Sequence, residues 1–158
     1  MTTTLIETPR EFTTVKDGNI TLLPVRRLTI KQISKIGDAV NQKIRDERRK
    51  EYISIAELLP SKERNQFLIE AARFNLTISP EDAQAVADST FGVITVLTYA
   101  TDLTAAELAE LIDVPENESE LDYARYHALG LDIDALRVAV EAGTAGETKT
   151  EATFPEQQ

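Results

Sequence analysis

A β-hairpin followed at once by an amphipathic helix is predicted by the run Arg10-Glu-Phe-Thr-Thr-Val-Lys-Asp-Gly-Asn-Ile-Thr-Leu-Leu-Pro-Val-Arg-Arg-Leu-Thr-Ile-Lys-Gln-Ile33. Asp17-Gly18 lies between two β-prone segments, and glycine reaches the positive φ of a tight hairpin turn without steric cost. Pro24 cannot donate a hydrogen bond to a sheet, so we expect it near a strand end or on an edge. Thr29 and Gln32 have the spacing of a capping box, which marks the start of a helix.

Helical periodicity and helix-start signals continue through the rest of the chain. The first helix is predicted over residues 30–50 from apolar residues at helical spacing: Ile30, Ile33, Val40 and Ile44. The segment 52–59 fits either a helical turn or a strand. Ser79-Pro80 predicts the start of a central buried helix that continues to Leu97. Further helices are predicted over residues 62–75, 104–113 and 119–129, and from Asp132 onward.

These elements predict a mainly α fold of the α+β class. We expect a hairpin at residues 11–25 packed beside a compact bundle of about five to six helices, which forms a helical body over residues 29–142. Residues 1–143 would then be one globular domain, and residues 144–158 a flexible, acidic, polar tail. The longest apolar stripe places Phe91, Ile94 and Leu97 in the core.

Composition indicates a soluble, intracellular protein. The 158 residues are 42% hydrophobic and 28% charged, and they include no cysteine, so disulfides, thiol nucleophiles and thiolate metal sites are excluded. No apolar run approaches the ~18 residues that would span a membrane, and the first residues lack the features of a signal peptide.

The net charge of −10 is unevenly distributed. Residues 1–73 hold 14 Lys and Arg against 10 Asp and Glu, whereas residues 74–158 hold 3 against 17. Acidity in the second part can serve solubility by repelling other copies of the protein, or it can form a face that binds a basic partner.

No motif for catalysis, a cofactor or a metal is present. His127 is the only histidine, and we expect it to be a packed or surface residue rather than a metal ligand. No G-x-S-x-G, G-x-x-x-x-G-K-[ST] or G-x-G-x-x-G motif occurs. Asp132 and Asp134 resemble paired metal-binding acids, but a helix cap followed by an acid in the first turn accounts for both. The sequence therefore predicts a protein that is not an enzyme.

Basic clusters are restricted to Arg26-Arg27 and residues 45–50. A nucleic-acid interface combines a concentrated basic face with stacking aromatic side chains, and Tyr52 alone offers thin support for one. A small nucleic-acid-binding regulator is therefore the weakest of the alternatives that we consider.

The hairpin and the helix that follows it resemble the tail assembly chaperones of tailed bacteriophages. The residues that carry the resemblance form a Leu-x-Pro-x-Arg-Arg-Leu-Thr-x-x-x-Ile pattern after the turn: Asp17-Gly18, Ile20, Leu22, Pro24, Arg27, Leu28, Thr29 and Ile33. The resemblance covers about 30 residues in detail, and the rest of the chain only in size, acidity and helical content.

The resemblance implies a non-catalytic protein that binds the long tape measure protein and keeps it soluble in the host cytoplasm during tail assembly. A homo-oligomer is compatible with this role, whereas membrane binding is not expected. The alternative is a small structural component of the virion, such as a neck, baseplate or tail-completion protein that stays in the particle.

The residues that we expect to contact the partner are mostly charged. Glu107, Glu110 and Asp113 share one helix face, which is either simply solvated or meets a basic partner. The full set comprises Arg26, Arg27, Glu107, Glu110, Asp113 and the hydrophobic residue of the tail, Phe154.

Overall fold

A computed structural model describes residues 8–73 and 78–153 of the chain. Within these residues one antiparallel hairpin packs beside seven α-helices, which confirms the predicted fold class with more helices than the five to six expected. The strands are β1 (Arg10–Lys16) and β2 (Asn19–Val25). The helices are α1 (Ile30–Glu57), α2 (Ser61–Arg73), α3 (Pro80–Asp88), α4 (Thr90–Ala100), α5 (Ala105–Ile112), α6 (Glu118–Ala128) and α7 (Ile133–Thr153), with a short 3-10 helix (Pro115–Asn117) before α6.

The hairpin turns at Asp17 and Gly18, as predicted, and both residues have positive φ, 52° and 75°. This pair of left-handed residues matches the twist of the two strands. Phe12 lies opposite Leu23 on the inner face, and both are buried in the core. Pro24 is the second-last residue of β2, on an edge of the two-stranded sheet, where its missing N–H is tolerated.

Backbone and side-chain bonds attach the hairpin to the helical body. After β2, the N–H of Arg26 donates to the carbonyl of Ala100 (2.8 Å), and the N–H of Leu28 donates to that of Ala128 (2.8 Å). On the other strand, Arg10 donates to the carboxylate of Asp134 at the start of α7 (2.8 Å). The hairpin is therefore hydrogen-bonded to the ends of three different helices, α4, α6 and α7.

Local signals correctly mark four of the predicted helix starts and the end of α6. Two capping boxes form as expected, Thr29 with Gln32 and Thr104 with Glu107. Ser79 caps α3, and Asp132 accepts hydrogen bonds from the N–H groups of Asp134 and Ala135. Gly130 has φ +95°, and the hydrogen bonds around it form a Schellman motif that ends α6.

The predicted continuous helix from Pro80 to Leu97 is interrupted at Ser89, and this prediction was wrong. Ser89 ends α3 and caps α4, because its side chain accepts a hydrogen bond from the N–H of Gly92. Because the helix is interrupted, the buried face of α4 differs from the face predicted for one continuous helix. Val93, Val96, Leu97 and Ala100 are buried, whereas Phe91 and Ile94 are only half-buried.

Other differences concern the ends of helices. Segment 52–59 belongs mostly to α1, which continues to Glu57. The last helix α7 continues to Thr153, so it includes the first ten residues (144–153) of the expected polar tail. Residues 154–158 lie outside the described range. The helix predicted from residue 119 begins at Glu118, after the 3-10 turn.

The core lies between the inner face of the hairpin and the helices around α4. From α1 it receives Ile36, Val40 and Ile44, whereas Ile30 and Ile33, expected on the same stripe, are 87% and 38% exposed. The buried set also includes Leu108 and Leu111 of α5, Leu121, Ala124 and Ala128 of α6, and Ile133 of α7.

Candidate protein-binding surfaces

Two of the predicted partner-binding charges, Arg26 and Glu110, form intramolecular ion pairs. Arg26 lies 2.9 Å from Asp102, in the loop between α4 and α5, and Lys16 lies 3.4 Å from Glu110 on α5. Since Arg26 and Lys16 stand at opposite ends of the hairpin, the two ion pairs hold α5 alongside it. All four side chains are half or more exposed, so each pair contributes little to stability, about 0–1 kcal/mol.

The remaining predicted residues are not brought together into one site. Glu107 is exposed, and its carboxylate accepts a hydrogen bond from the N–H of Thr104 (2.9 Å). Arg27 is exposed and forms no ion pair within the described part of the chain. Asp113 is exposed at the end of α5. Phe154 lies outside the described residues.

Asp113 forms part of an acidic cleft of about 380 Å³ between the α3–α4 junction, the end of α5 and α6. Val93, Ile112 and Leu121 provide its apolar lining. Carboxylates surround this lining, and the complete set of acidic residues is Asp88, Asp113, Glu118 and Asp122. An apolar cleft with an acidic rim suits a long basic side chain, whose aliphatic stem packs while its charge stays at the rim.

A buried arginine supports the cleft from inside. The Arg125 side chain is 5% exposed, donates to the carbonyl of Ala87 and to Asp88 (both 2.9 Å), and lies 3.7 Å from Asp122. The hydrogen bond from Arg125 lowers the pKa of Asp88, and a further bond from Gln84 lowers it again. The buried guanidinium of Arg125 therefore holds two acidic residues of the cleft, Asp88 and Asp122, in place.

The second candidate surface is the arm, which we define as residues 45–57 of α1, the C-cap residue Leu58 and α2. Tyr52 and Phe67 meet between the two helices with ring centroids 6.0 Å apart. Arg64 donates to the carbonyl of Ala56 (3.0 Å) and thereby holds the turn between the helices. No described side chain of α2 is fully buried, so the arm is anchored to the body mainly through α1.

Large aliphatic side chains remain exposed on the arm. Ile55 and Leu58 lie eleven and fourteen residues after the buried Ile44, which places all three on the same side of the helix. Ile55 is 48% exposed and Leu58 is 85% exposed. Ile53 on α1 and Ile69 on α2 are also about half exposed. The side of α1 that is buried at Ile44 thus carries exposed aliphatic side chains at its C-terminal end.

The residue that sequence reasoning missed is Asn117, which is 1% exposed. Its amide donates to the carbonyls of Val15 (2.8 Å) and Leu111 (2.9 Å), and it accepts from the N–H of Val15 (2.6 Å). Asn117 therefore occupies the edge of β1. Its place after Pro115 predicts a turn, but no local signal indicates a partner 102 residues earlier.

The single histidine is part of the core. His127 is buried with its ring 5.8 Å from that of Phe12. Within residues 8–73 and 78–153, no group of three or more His, Asp or Glu side chains is placed to hold a metal ion. Nor does this part of the chain contain a helix with the length and apolar character needed to cross a membrane.

Comparisons of this chain with protein-family models, with curated proteins and with solved structures found no match.

Proposed function

We propose that this protein is a non-catalytic assembly chaperone of a tailed bacteriophage, which holds an amphipathic helical segment of the tape measure protein against the arm. The observation that carries the proposal is the exposure of Ile55 and Leu58 on a helix face that is buried elsewhere along α1. Exposed aliphatic groups aligned on one face are typical of a surface that binds another protein. The resemblance of the hairpin and following helix to tail assembly chaperones supports the choice of partner.

Binding would add a third helix to the pair formed by α1 and α2. Thirteen residues of α1 belong to the arm, and at 1.5 Å per residue they offer about 20 Å of contact, enough for roughly four turns of a partner helix. Such helix-in-groove recognition relies on apolar anchors at i, i+3, i+4 and i+7 of the bound segment. A tape measure protein, which consists of long amphipathic helices, supplies many such segments in succession.

Charge in the acidic part of the chain would steer basic segments toward the protein. Glu107 and Glu110 have intramolecular roles, so a test of steering is cleaner at the rim of the acidic cleft. Reversal of Asp113 and Glu118 to Lys should slow association with the tape measure segment, and added salt should slow association of the unmodified protein in the same way.

Co-expression with a tape measure protein tests the proposal, scored as the fraction of that protein that stays soluble. The unmodified chain should raise this fraction, and the double variant Ile55→Lys with Leu58→Lys should not. Val138→Lys is the matched control, because Val138 is also an exposed aliphatic residue (65%) but lies on α7. Equal solubility with and without the chain would remove the chaperone proposal, and equal loss with the Val138 control would remove the arm as its site.

A further inference from the structure

The acidic cleft carries more negative charge than the folded chain neutralises. Of its four carboxylates, Asp88 and Asp122 contact Arg125, at 2.9 and 3.7 Å. Asp113 and Glu118 are exposed and form no ion pair within residues 8–73 and 78–153. In this part of the chain Arg125 is the one cation that the four carboxylates contact, so the cleft keeps a net negative charge.

Asp113 occupies a position that disfavours its charge. It is the C-cap of α5, where the helix carbonyls repel an anion, and the last turn of α5 contains no basic residue. Glu118, in contrast, is the first residue of α6, where a carboxylate is favoured. The carboxylate of Asp113 therefore lacks a counter-charge in the described chain, and a cation bound in the cleft would supply one.

The apolar lining restricts the kind of cation that the cleft suits. Val93, Ile112 and Leu121 line a volume of about 380 Å³, which is enough for one long side chain. A small hydrated cation gains nothing from aliphatic walls. The four-carbon stem of a lysine, however, packs against such walls while its ammonium group stays with the carboxylates at the rim.

The surface next to the cleft is acidic as well, which favours a protein segment over a free small molecule as the source of the cation. Glu107 and Glu110 lie on α5 before Asp113, and Glu116 lies in the 3-10 helix between the two cleft residues Pro115 and Glu118. All three glutamates are exposed. An acidic surface of this breadth complements a basic segment that has several positive charges.

We propose that the cleft binds the side chain of one lysine from a basic segment of a partner protein. The stem of this lysine lies on the apolar lining, and its ammonium group lies among the four carboxylates. Arg125 fixes the carboxylates of Asp88 and Asp122, whereas Asp113 and Glu118 supply the charge that remains free. The cleft is built from α3 to α6 and is separate from the arm. The proposal therefore holds whatever the identity of the helix that the arm binds.

Titration of the full chain with Nα-acetyl-lysine N-methylamide, followed by NMR of the methyl groups, tests the proposal. The signals of Val93, Ile112 and Leu121 should shift in a saturable way, with a dissociation constant of about millimolar order for a ligand of this size. Methylammonium has the charge without the stem, and it should bind at least about tenfold more weakly. The norleucine derivative has the stem without the charge, and it should bind at least about threefold more weakly.

A pair of charge-matched variants provides the second readout. Asp113→Asn with Glu118→Gln should weaken binding of the lysine derivative about three- to tenfold, since two free carboxylates are lost. Asp38→Asn with Glu141→Gln removes the same charge at exposed positions on α1 and α7, and it should leave binding unchanged. Thermal melts of both variants verify that they are folded.

Several results would overturn the proposal. These are the absence of shifts at the three methyl-bearing residues, an equal response to methylammonium, and an equal loss of binding in the two double variants. Binding of spermidine more than about tenfold tighter than that of the lysine derivative would identify a free polyamine as the occupant instead. Every titration uses the isolated chain, so the result is independent of the co-expression test of the proposed function.

Discussion

Asn117 is the residue on which the attachment of β1 most depends. One side chain satisfies both backbone groups of Val15 and the carbonyl of Leu111, in a place where the amide is 1% exposed. A buried polar group left without a partner costs about 1–3 kcal/mol. At Val15 the Asn117 side chain thus takes the place of a third strand. Among the described residues, this is the only part of the β1 edge for which the structure shows a partner.

Asn117→Ala should lower the free energy of unfolding by about 2–3 kcal/mol, since it leaves backbone groups of Val15 and Leu111 without partners in a buried position. Urea denaturation followed by circular dichroism measures the change. Asn19→Ala, at the exposed start of β2, serves as the control and should stay within about 0.5 kcal/mol of the unmodified protein. Similar values for the two variants would contradict the role that we assign to Asn117.

Asp88 makes the stability of the fold depend on pH. Its pKa is lowered in the folded protein by Arg125 and Gln84, so its contribution is present above the unfolded pKa and is lost as the pH falls through the folded pKa. Asp88 is 48% exposed, and solvent screening limits this contribution to about 0.5–1 kcal/mol.

Asp88→Asn should therefore be less stable than the unmodified protein at pH 7, and the difference should vanish as the pH falls from about 5 to below 3. Thermal melts of both proteins across this pH range provide the measurement. Asp38→Asn is the control, because Asp38 is exposed and has no ion pair in the described ranges. A gap between Asp88→Asn and the unmodified protein that does not narrow as the pH falls would show that the carboxylate charge is not its cause.

At the scale of elements, two helical glycines have opposite roles. A Cβ on Gly92 would lie 2.6 Å from the carbonyl oxygen of Val86 and closer still to that of Ala87, so the start of α4 touches the end of α3 backbone to backbone. A Cβ on Gly37 in α1 would meet no atom within 4 Å. The helical glycine at which another backbone approaches closely is therefore Gly92 and not Gly37.

Gly92→Ala should destabilise the protein by about 3 kcal/mol or more, because the backbone of α3 must move to admit the methyl group. Gly37→Ala should stabilise it by about 0.5–1 kcal/mol, since alanine restricts the unfolded chain and favours the helix. Thermal unfolding of the two variants side by side measures both effects. A stabilised Gly92→Ala variant would mean that α3 and α4 do not meet in this way.

At the scale of the whole molecule, the arm and the body differ in how firmly they are held. α4 contributes four hydrophobic residues to the core and packs against α3, α5 and α6, whereas α2 packs against α1 and has no fully buried side chain among those described. Regions with little buried apolar contact open at lower free energy than core helices.

Amide hydrogen exchange should therefore be much faster in α2 than in α4, since local opening of the arm requires less free energy than global unfolding. Mass spectrometry of peptides from the two helices measures the difference. Addition of a bound tape measure segment should slow exchange in α2 and leave α4 unchanged. Equal protection of the two helices in the free protein would contradict the division into arm and body.

The features that the sequence by itself determined are those whose partners lie within a few residues. The turn at Asp17-Gly18 and the capping boxes at Thr29 and Thr104 were predictable because positive φ and helix capping involve only neighbouring residues. The same holds for the end of α6 at Gly130. Fold class followed from these boundaries.

Only the tertiary structure decided which apolar residues are covered and which are exposed. Ile44, Ile55 and Leu58 lie on the same side of the helix, yet Ile44 is buried and Leu58 is exposed, because burial depends on where the other helices end. Asn117 bonds a strand 102 residues away. Periodicity gives the side of a helix on which a residue lies, but burial depends on long-range contacts that no local pattern records.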